Sequence, residues 1–328
     1  MKKFLKIIGY TVLVVLILVI GLLTYVKTAL PNVGAASDMK IEYTGERIER
    51  GKYLANHVTV CIDCHSTRDW TKFSGPITPG TLGRGGERFD QAVGFPGVYY
   101  SRNITPAGIK RYTDGELFRL ITTGVTKEGR AMFPVMPYAH YGKMDPEDIE
   151  CIISYVRSLP AIENRVKESV SDFPMNFILN TIPKKAEPQK VPPKSDQLAY
   201  GAYMANASGC NECHTQADKG QIIRALEFSG GREFKMPDKS IIRSANITPD
   251  EKTGIGKWTE EIFIGRFKMY ADSNYHPQTV VSGQFQTIMP WTMYCNMDKD
   301  DLAAIFTYLK TVKPIANAVV KFTPPPAN

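Results

Sequence analysis

At 328 residues the chain is long enough for two ordinary domains, and 43% hydrophobic with 22% charged residues excludes wholesale disorder. The formal charge of +7 comes from scattered basic residues with no nucleic-acid motif among them, so no nucleic-acid partner is expected. Six cysteines are few for this length, and four of them form two CxxC pairs, which points to cofactor attachment instead of a disulfide scaffold.

The chain begins with Lys2, Lys3 and Lys6 ahead of Ile7–Val26, twenty residues without a charge, closed by Lys27. About twenty helical residues, at about 1.5 Å each, cross a hydrocarbon layer of about 30 Å. Residues 1–30 are therefore expected to be a transmembrane helix in the lipid bilayer. Lysines on its N-terminal side favour that end in the cytoplasm and send the rest outward. The expected location is the bacterial inner membrane, single-pass, with the remainder in the periplasm. The rival is a cleaved signal peptide ending near Ala35-Ala36-Ser37. Length disfavours it, because the apolar core of such a peptide runs about 7–15 residues. No cysteine stands near position 30, which excludes a lipoprotein anchor.

Beyond the anchor the sequence repeats itself. Gly51-Lys-Tyr-Leu-Ala-Asn56 returns as Gly201-Ala-Tyr-Met-Ala-Asn206, and Cys61-Ile-Asp-Cys64-His65 as Cys210-Asn-Glu-Cys213-His214. Asn103-Ile-Thr-Pro106 returns as Asn246-Ile-Thr-Pro249, and Met136-Pro137-Tyr138 as Met289-Pro290-Trp291. The offset drifts from 149 at the first cysteine to 153 at the Met-Pro pair, as a duplication with loop changes would leave it. Two units follow, 40–162 and 196–316. The Pro- and Lys-rich stretch 163–195, with a short apolar patch at Phe173–Ile182, reads as an extended linker lying on the domains.

The readable elements within each unit are helices. Glu46–Val58 leads into the first cysteine motif. Thr113 with Glu116 forms a capping box, and Asp145 with Pro146 opens a helix over Glu147–Leu159. In the second unit Gln197–Ala207 precedes the cysteines, Thr259 is the counterpart of Thr113, and Asp298 opens Lys299–Val312. Ile152, Tyr155 and Val156, or Ile305, Tyr308 and Leu309, give each last helix its apolar stripe. A Pro-rich tail begins at Phe322. Each unit is thus mostly α with long loops, and such loops in a compact domain usually pack against a cofactor.

CxxCH is the attachment signature of c-type haem. One helical turn puts both sulfurs along one edge of the porphyrin and brings the next residue's imidazole under the iron. Cys61, Cys64, Cys210 and Cys213 are the expected thioether residues, His65 and His214 the first axial ligands, and two covalently bound haem c the expected cofactors. Twelve methionines compete for the opposite axial position. The repeat narrows them to Met136 with Met289 and Met144 with Met297; Met132 matches Phe285 and drops out. Met144 and Met297 precede the N-cap aspartates, where an apolar residue packs as a hydrophobic staple. Met136 and Met289 sit in loops, each stiffened by a following proline, and are the expected ligands.

The paired CxxCH, the Asn-Ile-Thr-Pro sequences, Thr253-Gly-Ile-Gly-Lys-Trp258 and the Met-Pro-aromatic step resemble the cytochrome c subunits of bacterial membrane-bound alcohol, aldehyde and gluconate dehydrogenases. The likeness runs over both units. It implies tandem class I cytochrome c domains with His/Met haems, passing electrons from a dehydrogenase towards quinone or a terminal oxidase. Those subunits commonly carry three haem motifs, whereas this chain has two, and its anchor is a single N-terminal helix.

Several other residues are singled out. Pro76 is a candidate carbonyl for the His65 ring, but the second unit has no proline before Pro237, so another carbonyl must serve there. Arg68, Tyr112 and Trp258 are either propionate contacts or ordinary surface and core groups. Asn103 and Asn246 read as turn formers. His57, His140 and His276 lack counterparts and read as non-ligand histidines. Cys151 and Cys295 are buried thiols or an inter-unit disulfide.

The function expected is electron transfer in a respiratory chain. The donor would be a membrane dehydrogenase or quinol-oxidising complex, the acceptor a terminal oxidase or another cytochrome. A cytochrome subunit of a haem–copper oxidase is the alternative. A dihaem peroxidase is a further one, but it needs one iron with a replaceable distal ligand, and both units carry the same Met-Pro step. No catalytic residue is therefore expected.

Overall fold

The computed structural model describes residues 2–326. Helix α1, Lys2–Thr28, contains the expected span; its mean hydropathy is 2.8 over the most apolar window and none of it is buried. It is long and apolar enough to cross a membrane.

In the first half, α2 (Gly45–Tyr53) starts where the Thr44 side chain accepts from the Arg47 N–H, and it continues as a π-helical turn over Leu54–Val58. Then come α3 (Cys61–Cys64), β1 (Arg88–Phe89), β2 (Gly97–Tyr100) and α4 (Pro106–Ile109). Helix α5 (Asp114–Thr123) carries the expected capping box in full: Thr113 Oγ1 accepts from the Glu116 N–H and Glu116 accepts from the Thr113 N–H. Next are α6 (Tyr138–Tyr141) and α7 (Pro146–Ser158), the latter capped by Asp145, whose carboxylate accepts from the Glu147 N–H.

Residues 163–195 run extended, but they also build structure that the reading as a linker did not include. Strand β3 (Val170–Ser171) adds to β2, pairing Gly97 with Ser171, and α8 (Met175–Ile178) touches the end of α1. The second half repeats the order with α9 (Gln197–Ala207), α10 (Cys210–His214), a small hairpin of β4 (Ala217–Asp218) and β5 (Gln221–Ile222), β6 (Glu233–Lys235), β7 (Ile241–Arg243), α11 (Glu260–Lys268), α12 (Trp291–Tyr294) and α13 (Lys299–Leu309). The tail closes it: β8 (Phe322–Thr323) pairs with β7 as β3 pairs with β2. Both three-stranded sheets are antiparallel, in the orders β1-β2-β3 and β6-β7-β8.

Each half is organised by one helix crossing, α2 on α7 and α9 on α13. The approach is close because glycine stands at the contact. A Cβ on Gly51 would overlap the Cys151 carbonyl, and one on Gly201 the Ala304 carbonyl. Leu54, Val58, Ile149 and Ile153 are fully buried around the first crossing; Met204, Leu302 and Leu309 fill the second.

The halves meet through a reciprocal pair of contacts. Tyr53 Oη donates to Asp301 Oδ2 (2.7 Å) and accepts from the Asp298 N–H (3.0 Å). Tyr203 Oη donates to Asp148 Oδ2 (2.6 Å) and accepts from the Asp145 N–H (3.1 Å). Burial first, then the neighbouring carboxylates, push both phenols far above their ordinary range, so they remain donors throughout the usable pH range. Gly51→Ala or Gly201→Ala should force the helices apart and lower stability by about 1–3 kcal/mol or more, measured as a fall in the denaturant midpoint.

Candidate haem sites

The two CxxCH segments are short helical turns entered through left-handed residues, Val60 (φ 45°) and Gly209 (φ 63°). The chain therefore turns sharply just before Cys61 and Cys210. A β-branched valine seldom adopts this conformation, so the first entry carries local strain that glycine spares the second. Cys61, Cys64, Cys210 and Cys213 are not disulfide-bonded.

Each histidine ring is oriented by a backbone carbonyl. His65 Nδ1 lies 2.6 Å from the Arg102 carbonyl and His214 Nδ1 lies 2.7 Å from the Ala245 carbonyl. A carbonyl can only accept, so Nδ1 carries the proton and Nε2 keeps its lone pair. Among the described residues nothing hydrogen-bonds either Nε2. Burial lowers the pKa of both imidazoles, which favours the neutral, ligating form.

The partner is not Pro76, whose carbonyl accepts from the Asp69 N–H instead. In both halves it is the residue just before Asn-Ile-Thr-Pro, which explains why that motif recurs. Asn103 Oδ1 accepts from the Thr105 N–H and hydroxyl in an Asx turn, while its amide donates to the Ile162 carbonyl (2.7 Å). Asn246, Thr248 and Ile315 repeat the arrangement, with 2.8 Å to the Ile315 carbonyl. The turn is thus tied to the chain leaving the last helix. Gly85 and Gly230 complete the lock. Their N–H groups donate to the His65 and His214 carbonyls, both at 2.7 Å. Both are left-handed (φ 70° and 71°), and a Cβ on either would strike the Arg102 or Ala245 carbonyl.

Met136 and Met289 are half-buried, whereas Met144 and Met297 are each 1% exposed, packed where a hydrophobic staple belongs. In each Met-Pro step the N–H two residues on donates to the methionine carbonyl at 2.8 Å, from Tyr138 to Met136 and from Trp291 to Met289. With Pro137 at φ −79°, ψ 55° and Pro290 at φ −80°, ψ 64°, both are inverse γ-turns centred on proline.

The supports of these turns differ. Around the first, Phe133 stacks on Tyr99 at 4.4 Å and Tyr138 packs beneath Gly124. The second is held by the other half of the molecule. Ser74, fully buried and left-handed (φ 66°), donates its hydroxyl to the Met289 carbonyl (2.6 Å) and accepts from the Trp291 N–H (3.0 Å). Its own N–H donates to Gln286 Oε1 (2.9 Å), and the Gln286 amide donates back to the Trp70 and Lys72 carbonyls.

The residues fit a covalently attached haem. Four thiols outside any disulfide, two imidazoles with open Nε2 and two half-buried thioethers recur at matching positions of the two halves. The Tyr138 hydroxyl, two residues past Met136, is buried without a partner. Among the described residues no three His, Cys, Asp or Glu side chains gather as a zinc site would require. Arg68 is fully engaged by protein: its guanidinium pairs with Asp63 (2.9 Å), donates to the Ser74 and Gly75 carbonyls and stacks over Trp70. Tyr112 Oη accepts from Arg111, and Trp258 packs against the core.

The histidines without counterparts lie partly at the seam between halves. His57 Nδ1 meets the Met293 carbonyl (2.9 Å). His140 bridges Asn206 and Glu212, both at 2.8 Å, and so touches the second CxxCH segment. His276 is exposed. Cys151 and Cys295 are buried and unbonded.

The sequence is similar to those of known proteins. The chain is 25% identical, over 85% of its length, to the cytochrome c subunit of a quinone-dependent alcohol dehydrogenase from Gluconacetobacter polyoxogenes. It is equally similar, over 81%, to the gluconate 2-dehydrogenase cytochrome c subunit of Pantoea cypripedii. The chain thus resembles dehydrogenase cytochrome c subunits. A dihaem c-type cytochrome of Cereibacter sphaeroides matches 41% of the chain at 26% identity, covering 42% of that protein. The match spans 59% of the length of each of the first two relatives. No family model matches the sequence.

Ser74→Ala would remove one of two partners from both the Met289 carbonyl and the Trp291 N–H, leaving the turn held only by the bond between them and cutting its tie to the other half. A denaturant titration should show a loss of about 1–3 kcal/mol. Gly230→Ala should cost at least as much, because its Cβ meets backbone and not a movable side chain.

Proposed function

We propose that the chain is a membrane-anchored dihaem c-type cytochrome that carries electrons in a respiratory chain. The observation that carries this reading is the doubled CxxCH segment with its histidine locked by the same carbonyl device in each half. Residues 40–162 and 196–316 would each form a class I cytochrome c domain, joined by 163–195. Cys61 and Cys64, and Cys210 and Cys213, would hold one haem each through thioethers. His65 and His214 would ligate through Nε2, with Met136 and Met289 supplying sulfur from the other face. When bound, each haem supplies a one-electron iron couple whose potential the thioether raises.

The protein's own residues would fix the imidazoles, exclude water with the loops and supply both a nitrogen and a sulfur ligand at each site. No replaceable ligand then remains for peroxide chemistry. The names of the relatives support a membrane dehydrogenase as donor; a quinol-oxidising complex would present the same one-electron task. A terminal oxidase or another cytochrome would accept. Helix α1 supports single-pass anchoring in the inner membrane with the haem domains in the periplasm.

A pyridine haemochrome assay on weighed protein should return two c-type haems. One haem, or haem removed by acid acetone, refutes the assignment. Met136→His and Met289→His should each weaken the long-wavelength sulfur–iron absorption by about half and lower one potential by on the order of 0.1 V. Met144→Leu and Met297→Leu should leave the band intact. Rapid turnover of hydrogen peroxide by the wild type would instead indicate a peroxidase, and co-purification with haem–copper oxidase subunits would favour the oxidase alternative.

A further inference from the structure

The apolar patch inside 163–195 has no covering among the described residues. Phe173 is 81% exposed, Val170 63% and Ile178 45%, although Phe173 and Phe177 pack edge to face. Isolated exposed apolar residues are ordinary, but these lie together on one short segment. Their position indicates what covers them. Helix α8 and the turn Leu179–Thr181 contact α1, and the Asn180 amide reaches the Val26 carbonyl (3.4 Å). Val26 is the last residue of the uncharged run, followed by Lys27. The segment therefore stands level with the last turn of the span, where hydrocarbon gives way to headgroups. Tyr25 at the same level is 58% exposed, as suits an interfacial aromatic. Lys184 and Lys185 follow, both exposed and placed for anionic headgroups.

We propose that Phe173–Ile182 is a second membrane contact, lying in the outer boundary of the bilayer beside α1. It rests on the reading of α1 as a retained anchor. The segment is too short to bind membranes unaided, but α1 delivers it to the surface, so only its orientation must be right. Its effect is to fix the first half against the membrane. The loop Glu128–Ala131, which shares a polar recess with Lys27–Pro31 and Asn180, is then held at the surface, with Met136 a few residues beyond.

The test uses the full-length haem-loaded protein in nanodiscs of phosphatidylethanolamine and phosphatidylglycerol. Phe173→Cys, Ile178→Cys and, as an exposed control on α11, Ile262→Cys are labelled with a water-soluble maleimide. Cysteines at 173 and 178 should react at least ~10-fold more slowly than the one at 262. Equal rates overturn the proposal. Protection in native membranes but not in nanodiscs also overturns it, because a protein partner would then cover the patch. Carbonate extraction of the wild type separates the two readings. Release removes the anchor and this contact together, whereas retention with reactive 173 and 178 removes only the contact.

Discussion

The structure depends on one hydrogen bond made twice, from a histidine ring N–H to a backbone carbonyl. It selects the tautomer, leaves the other ring nitrogen with a free lone pair and lets a buried imidazole stay neutral without a carboxylate. The bond requires the carbonyl to sit within reach of a helical turn some forty residues earlier in the first half (His65 to Arg102) and thirty in the second (His214 to Ala245). Each neighbouring feature serves that placement. The Asx turn of Asn103 or Asn246 ties the carbonyl segment to the exit of the last helix, and Gly85 or Gly230 lets the two backbones touch. The glycine at the helix crossing, Gly51 or Gly201, brings that last helix against the helix preceding the cysteines. Orientation of the ring is thus fixed by the whole of each half and not by the loop around it.

The halves are not copies in every respect. The Met136 turn is supported within its own half by Tyr99, Phe133 and Tyr138. The Met289 turn depends on Ser74 and Gln286, which join it to the other half. The two Met-Pro turns therefore stand in unequal surroundings, and the placement of the second is tied to the integrity of both halves. His140 adds a link of the same kind by reaching Glu212 inside the second CxxCH segment.

Much of this was legible in the sequence because the signals were local or doubled. The capping box at Thr113 and Glu116 and the helix Gln197–Ala207 appear as expected, and Met144 and Met297 are buried. Helix ends were less sharp: the first helix passes into a π-helical turn, and the last stops at Leu309, short of Val312. What the sequence hid was non-local. Two-residue strands such as β3 and β8 carry no periodicity, and their pairing with β2 and β7 is decided by where the last helices release the chain. The carbonyl that holds each histidine has no side-chain signature. The recurrence of Asn-Ile-Thr-Pro was the available signal, and pointed to the residue just ahead of it.

The reciprocal contact between halves has a topological consequence. Each half presents both a tyrosine donor and an aspartate acceptor, Tyr53 with Asp148 and Tyr203 with Asp301, so the surface is self-complementary about an approximate two-fold axis. Surfaces of this kind, carried twice on one chain, would string molecules into polymers if each patch found a neighbour. Residues 163–195 are long enough to let the chain fold back and close the pair on itself. The high local concentration of one half about the other makes that closure win, leaving no copy of the patch free to recruit a second molecule.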